Sequence, residues 1–479
     1  MNPLLLETFV VVLGILLLMA DAFFPNVPKK CIAYAGALGL TGVLALTFLP
    51  LHSLQGPSSA FYTIDALALF FKRFMLVMTL ITILMSIDFL PTIERFVPSE
   101  RRGGGTGEFF VLPLFACAGL MWLVSAVDFI MLFVSLELMS VVLYILISYL
   151  RKNALSLEAG TKYLILSALS AGFLIYGITW IFGITGTTSI SLLSHSIVGL
   201  SMTSLSPLLF GVALCLVAFA FKIGAFPFQF WLPDVYQGAP TPVTAYLSAA
   251  SKAAGFVVLL RLLEQLMSVS LLGKKMIAIV TLLAIATLIF GNLAALAQTN
   301  MKRLLAYSSI AHTGYLLMGV ASIGNVLAGP AIGFYLVAYL AMSSLAFIVL
   351  MVVAEASGGE EIYRFQGLYQ RSPFLAFAMT IAMLSMAGLP LSAGFFGKFF
   401  IFLVAFQQAH YGLLAVGSLT VVTGFYYYFK VIRAMYWQQP AEEAPAILVT
   451  GTTKCLIGAL IATILILGVY PMPILQALR

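Results

Sequence analysis

The chain has 479 residues, 62% of them hydrophobic and only 9% charged, with a net charge of +7 and a mean hydropathy of +1.09. This composition excludes a soluble globular chain, because apolar runs long enough to cross about 30 Å of hydrocarbon recur along its whole length. The basic excess does not point to nucleic acid, since basic residues scattered beside apolar runs are topology signals at an anionic lipid surface.

In chain order the apolar runs predict helices over 3–24, 31–50, 65–90, 109–127, 128–150, 160–184, 207–230, 243–267, 275–297, 303–322, 327–355, 373–408, 411–436 and 452–473. The first run lacks a basic leader and an A-x-A site, so it reads as a retained helix and not a cleaved signal. The segment "ERFVPSERRGGGTGE" (94–108) reads as a basic cytoplasmic loop; no strand or following lysine turns its glycines into a phosphate cradle. Only "SAVD" separates the fourth run from the fifth. The run 373–408 is too long for one straight span and contains "GLPLSAG", so it reads as a broken helix. The predicted fold class is an all-α polytopic membrane protein of about fourteen transmembrane helices.

The basic residues test that count. With the N-terminus outside, fifteen Lys and Arg fall on the cytoplasmic side and three (Lys274, Lys275 and Arg479) outside, with six in or at the edges of spans. This bias supports an even number of helices with both termini outside. The four cysteines form no C-x-x-C, which argues against iron–sulfur or zinc ligation. Of the four histidines only His312 clearly falls within a span, whereas a bis-histidine haem needs two at that depth. No G-x-x-x-x-G-K-[ST] is present for nucleotide hydrolysis. The chain is expected to carry no cofactor and no metal of its own.

What remains is a set of ionisable residues inside spans. Glu137 lies in "MLFVSLELMSVV", Lys222 in "FAFKIGAF", Lys252 in "LSAASKAAGF" and Lys398 in "AGLPLSAGFFGKFFIF". A central charge costs about 2.5–3.5 kcal/mol on insertion scales, so each needs a reason. Snorkelling to the headgroups suits Lys222 taken alone but not Lys252, which is about ten residues from either end of its run. A carboxylate and three lysines at similar depth can share one polar interior. A lysine under the opposing influences of burial and a carboxylate partner can take up and release a proton as that partner moves, which is the chemistry of a relay. His312, in "RLLAYSSIAHTGYLLMGV", reads either as a core histidine bonded to a hydroxyl or as a neutral imidazole passing protons between lysine sites. Glu158 and Lys162, four apart, predict an interfacial ion pair.

Two interrupted helices, "GAFPFQFWLP" and "AGLPLSAG", point to inverted repeats around an ion path. Lys222 precedes the first break and Lys398 follows the second, the mirrored order that opposite topology gives. The division is then 1–108 for N-terminal helices and a basic loop, 109–267 and 275–436 for two five-helix repeats, and 437–479 for a C-terminal helix.

The segments "FKIGAFPFQFWLPDVYQGAPTPVTAYLSAASKAAGF", "NLAALAQTNMKRLLAYSSIAHTGYLLMGV" and "LSMAGLPLSAGFFGKF" carry a resemblance. The chain resembles the antiporter-like membrane subunits of respiratory NADH-quinone oxidoreductase (complex I), relatives of Mrp-type sodium/proton antiporters. "WLPDVYQGAPTPV" with "SAASKAAGF" is similar to the N-type branch. The resemblance implies Glu137 and Lys222 as the charge pair of a first half-channel, Lys252 as central relay, Lys398 as terminal lysine and His312 in the connecting polar axis. It implies a proton-translocating, non-redox subunit in the bacterial inner membrane, with FMN, iron–sulfur clusters and quinone in partner subunits. Its expected partners are neighbouring antiporter-like and small helical membrane subunits. The family often has a histidine just before the tryptophan of "WLPD"; this chain has "FQFWLPD", with Gln229. The alternatives are a stand-alone or Mrp-type sodium/proton antiporter and a structural subunit with inert lysines. The absence of a clear cluster of intramembrane carboxylates argues against the sodium reading.

Overall fold

A computed structural model describes residues 4–24, 26–49, 60–97, 106–197, 202–267, 270–439 and 446–478. Most of the glycine-rich loop, with Arg101 and Arg102, and the terminal Arg479 lie outside these. The N-terminal part runs α1 (Leu4–Phe23), α2 (Lys29–Leu46), α3 (Ala66–Asp88) and the short α4 (Leu90–Phe96). Next come α5 (Glu108–Ser125), α6 (Phe129–Ile147), α7 (Ala154–Thr185), α8 (Leu193–Ile197), α9 (Met202–Ile223), α10 (Trp231–Gly238), α11 (Thr241–Tyr246) and α12 (Lys252–Met267). A π-helical turn, Leu247–Ser251, joins α11 to α12. Then follow α13 (Ser270–Leu296), α14 (Met301–Ala321), α15 (Ala328–Ser357), α16 (Leu368–Arg371), α17 (Pro373–Ala387), α18 (Ala393–Gln407), α19 (Tyr411–Trp437), α20 (Gly451–Leu467) and α21 (Met472–Ala477).

Twelve helices among the described residues are long and apolar enough to cross a membrane, counting 241–267 as one. The broken pair α17/α18 and the shorter α20 bring the spans to the expected fourteen. The helices begin where side chains cap their free N–H groups. Asp65, Asp128, Asn153, Asn300 and Thr450 each accept from a backbone N–H in the first turn that follows. The Asn153 cap explains why α7 starts six residues before the run 160–184 suggested: "ALSLEAG" is polar enough to lie outside the apolar window yet helical.

Burial separates centre from rim. The 241–267 span, α14 and α15 are wholly or almost wholly enclosed, whereas α1, α7 and α19 leave most of their surface facing outward. The two sets α5–α12 and α13–α19 are assembled alike. Each opens with a packed pair (α5 on α6, α13 on α14), continues with a long helix (α7, α15) and packs a broken helix (α9/α10, α17/α18) against it. Each then returns a last helix (α12, α19) to its first.

Both predicted breaks are present, with boundaries set by backbone chemistry that hydropathy cannot report. The run 207–230 stops being helical at Ile223, and residues up to Phe230 are non-helical. Gly224 there takes the left-handed conformation (φ +74°), and Pro227, after a cis peptide bond, has no N–H to donate. "WLPDVYQG", which falls between the predicted runs 207–230 and 243–267, is the short α10. The second break lies between α17 and α18, where Gly388 caps α17 at φ +92°. Gly394 lets the halves cross, since a Cβ there would stand 1.8 Å from the Ser385 carbonyl oxygen.

Candidate functional site

The first break leaves Lys222 on the last turn of α9, fully enclosed. Its ammonium donates to Ser140 Oγ on α6 at 2.8 Å and to Ser167 Oγ on α7 at 3.0 Å. The Tyr163 ring lies 5.6 Å away. Glu137 sits one turn before Ser140 on α6 and is coupled to Lys222 through its charge. The two are neighbours, not a hydrogen-bonded pair: Glu137 Oε1 has no hydrogen-bond partner among the described residues. Tyr163 Oη and Ser251 Oγ are likewise unpartnered there, so unused hydrogen-bonding capacity concentrates around Lys222. Gln229 is also buried, with both amide atoms unpartnered among the described residues.

The carbonyls freed by this break go elsewhere. Trp231 Nε1 donates to the Phe221 oxygen at 3.0 Å, and Thr313 Oγ1 to the Ile223 oxygen at 2.9 Å. The second break differs. Lys398 on α18 itself donates to the free carbonyls of Met386 and Ala387, both at 2.8 Å. These are the last carbonyls of α17, the end of a helix that favours a cation.

Lys252 lies between the two breaks, just after the π-helical turn. Such turns are rare and recur at functional sites. Its ammonium donates to the Ser309 carbonyl at 2.7 Å and to Ser309 Oγ at 2.5 Å. Tyr236 Oη lies 3.3 Å from the same hydroxyl. The Tyr339 ring stands 5.3 Å from Lys252 and 5.1 Å, centroid to centroid, from His312. His312 uses both ring nitrogens: Nδ1 is 2.7 Å from Tyr335 Oη and Nε2 is 3.1 Å from Tyr428 Oη. Tyr428 in turn meets Ser308 Oγ. His312 lies within electrostatic reach of both Lys252 and Lys398, and the Tyr315 ring, 6.3 Å from His312, stands 5.1 Å from Lys398. The result is a half-buried Glu137 beside the buried Lys222 at the first break, and a second buried group in which Tyr339 stands between Lys252 and His312 and Tyr315 between His312 and Lys398.

At the predicted cytoplasmic face Lys162 meets Glu158 at 2.6 Å, as expected, and also Asp234 at 2.7 Å. Asp234 receives Arg303 at 2.8 Å, which ties α7 and α10 to α14. Burial raises the Asp234 carboxyl, but the hydrogen bonds and charges of Lys162 and Arg303 outweigh it and hold the group below its ordinary range. Nearby, a cavity of about 420 Å³ is lined by Thr241, Lys302, Glu355 and Glu360 among others. Lys302 is buried there, 2.7 Å from Glu360 and 3.0 Å from the Ala239 carbonyl.

Residues 126–424 match the family described as NADH:quinone oxidoreductase/Mrp antiporter, transmembrane. The chain belongs to this family. It is 40% identical over 417 residues to NADH-quinone oxidoreductase subunit N 2 of Solibacter usitatus, covering 86% of this chain and 82% of that one. It is 37% identical to NADH-quinone oxidoreductase subunit N of Trichlorobacter lovleyi, over 99% of this chain and 96% of the relative. Its fold superposes on a chain of respiratory complex I from Thermus thermophilus with bound aureothin at a TM-score of 0.81 and 32% identity, covering 99% of both chains. These relatives agree with the N-type features of "WLPDVYQGAPTPV" and "SAASKAAGF".

Within this family frame, four of the five residues singled out from the sequence, Lys222, Lys252, His312 and Lys398, are buried, and Glu137 is half-buried beside Lys222. A hydroxyl beside His312 was expected, but the identity of the partners does not follow from the sequence. Ser140, Ser167, Ser309, Tyr335 and Tyr428 are hydroxyl residues too common in membrane helices to stand out. A further buried ion pair also went unnoticed: Glu7 on α1 and Lys72 on α3, 2.7 Å apart. Each lies near the N-terminal end of its run, where a charge reads as interfacial. The signal that was there is their opposite sign at a similar distance from the same membrane face.

Proposed function

We propose that this chain is the proton-translocating N subunit of an NADH-quinone oxidoreductase, with redox chemistry in partner subunits that hold FMN, iron–sulfur clusters and quinone. The observation that carries this reading is the series of buried lysines and His312 beside and between two broken helices. Glu137 and Lys222 form the first proton-holding site, Lys252 the central one and Lys398 the last. Because a positive charge on one lysine disfavours a charge on its neighbour, protonation at one site drives release at the next. Ser309, whose hydroxyl receives Lys252, can pass a proton on while taking one up. The neutral imidazole of His312 accepts at one nitrogen as it donates from the other, so a proton crosses between Tyr335 and Tyr428 with only a change of tautomer.

The two matched helix sets form inverted repeats, 109–267 and 275–436, related across the central span. An even number of spans puts both termini on one side, and the distribution of Lys and Arg supports the outer side. Neighbouring membrane subunits cover the exposed apolar rim, and the isolated chain is catalytically silent. Purification of the tagged chain in mild detergent tests this reading. Recovery with flavin and iron–sulfur subunits and quinone-reductase activity is the expected result. Recovery alone, with sodium-dependent proton exchange in vesicles, would replace it with the antiporter reading.

A further inference from the structure

Glu7 and Lys72 are both 0% exposed and 2.7 Å apart. Tyr62 bridges them: its hydroxyl donates to Glu7 Oε1 at 2.9 Å and receives Lys72. The other carboxylate oxygen, Glu7 Oε2, is buried with no hydrogen-bond partner among the described residues. A pair that served only to clamp α1 to α3 would gain from a donor at that oxygen, since an unpaired buried carboxylate oxygen is costly. That cost falls once the pair becomes neutral, because the second oxygen of a protonated carboxyl carries less charge than that of a carboxylate.

The surroundings connect this trio in two directions. Outward, Lys72 is charge-coupled to Asp65 and Arg261. Those two form a two-pronged pair, with both bonds at 2.8 Å and Asp65 44% exposed. Inward, Lys72, Thr79 and Ser86 recur every seventh residue along one buried face of α3. Thr79 Oγ1 meets Tyr246 Oη at 3.4 Å. Tyr246 is the last residue before the π-helical turn that precedes Lys252.

We propose that Glu7, Tyr62 and Lys72 form a further proton-carrying site, apart from Lys222, Lys252 and Lys398, that exchanges protons with the outer face beside Asp65 and Arg261. In its transfer step the Lys72 ammonium gives a proton to Tyr62 Oη as the Tyr62 hydroxyl proton passes to Glu7. An ammonium and a carboxylate become an amine and a carboxylic acid, the phenol is regenerated, and no electron moves. This site rests on the chain being a proton-translocating subunit.

The test uses the whole complex reconstituted in vesicles, measuring protons moved per quinone reduced. Tyr62→Phe keeps the ring and removes the bridge. Glu7→Gln with Lys72→Met replaces the pair by uncharged groups of similar shape, which restores a mere clamp but not a proton carrier. The expected result is normal flavin and iron–sulfur content with a loss of proton movement per turnover in both variants. Wild-type proton movement in Tyr62→Phe overturns the proposal, and that variant decides alone if the double replacement fails to assemble. A wild-type complex that reduces quinone without moving protons would instead refute the functional reading itself.

Discussion

Lys222 and Lys398 each lie at a helix break, before the first and after the second, but rest on different groups, serine hydroxyls in one case and helix-end carbonyls in the other. Hydroxyls can donate as well as accept, whereas carbonyls only accept. On the proposed reading, Lys222 is therefore the better placed of the two to receive protons, and Lys398 to hold one. Replacing Lys222 or Glu137 by Ala is expected to lower proton pumping and the coupled quinone-reductase rate without abolishing assembly. Normal pumping in both variants would remove these roles. His312 separates relay from scaffold. His312→Gln keeps a donor and an acceptor for Tyr335 and Tyr428 but cannot bind a proton at neutral pH, so assembly should persist while pumping falls. His312→Phe also strands the buried Tyr335 hydroxyl, at about 1–3 kcal/mol, while Tyr428 keeps Ser308, and should reduce the thermal stability of the complex as well. Lys252 and Lys398 were legible in the sequence because each is a single ammonium in a long apolar run. Glu7 and Lys72 were not, because only the fold brings two such near-interfacial charges into contact.

Among elements, the broken helices are the most sensitive to backbone change. Gly388 holds φ +92°, and a Cβ there would stand 3.0 Å from Lys398 Cδ. Gly388→Ala should cost about 1–2 kcal/mol for the left-handed backbone and push Lys398 off its carbonyls. Lower pumping together with a lower unfolding temperature would confirm it; unchanged pumping would show that the lysine position tolerates the shift. The junction of α7, α10 and α14 depends on Asp234, whose depressed acidity sets a sign. Its contribution is present above the unfolded carboxyl value, about 3.9, and is lost as pH falls through the lower folded value. With 37% of its side chain exposed, the worth is small, about 0–1 kcal/mol. Asp234→Asn should therefore lower the unfolding midpoint slightly at pH 7, and the difference should vanish in acid below that window. The two breaks were legible from Pro227 and from "GLPLSAG". The short α10 and the π-helical turn were not, because they depend on which carbonyls find donors, a matter of neighbouring helices.

At the scale of the molecule, hydropathy reported the fourteen spans because crossing hydrocarbon leaves the backbone no choice but helix. It could not say which helices are central. The 241–267 span and α14 are enclosed because their polar residues, Lys252 and His312 with Ser308 and Ser309, find partners only inside. On the proposed reading, that enclosure makes Lys252 the point through which both helix sets exchange protons. The most direct measurement is the number of protons moved per NADH oxidised by the purified complex in sodium-free vesicles, with wild-type chain and with Lys252→Met. If Lys252 carries the protons, the wild type moves them without sodium, and Lys252→Met loses that movement while keeping its flavin and iron–sulfur clusters. Wild-type proton movement in Lys252→Met, or a requirement for sodium in the wild type, would contradict it.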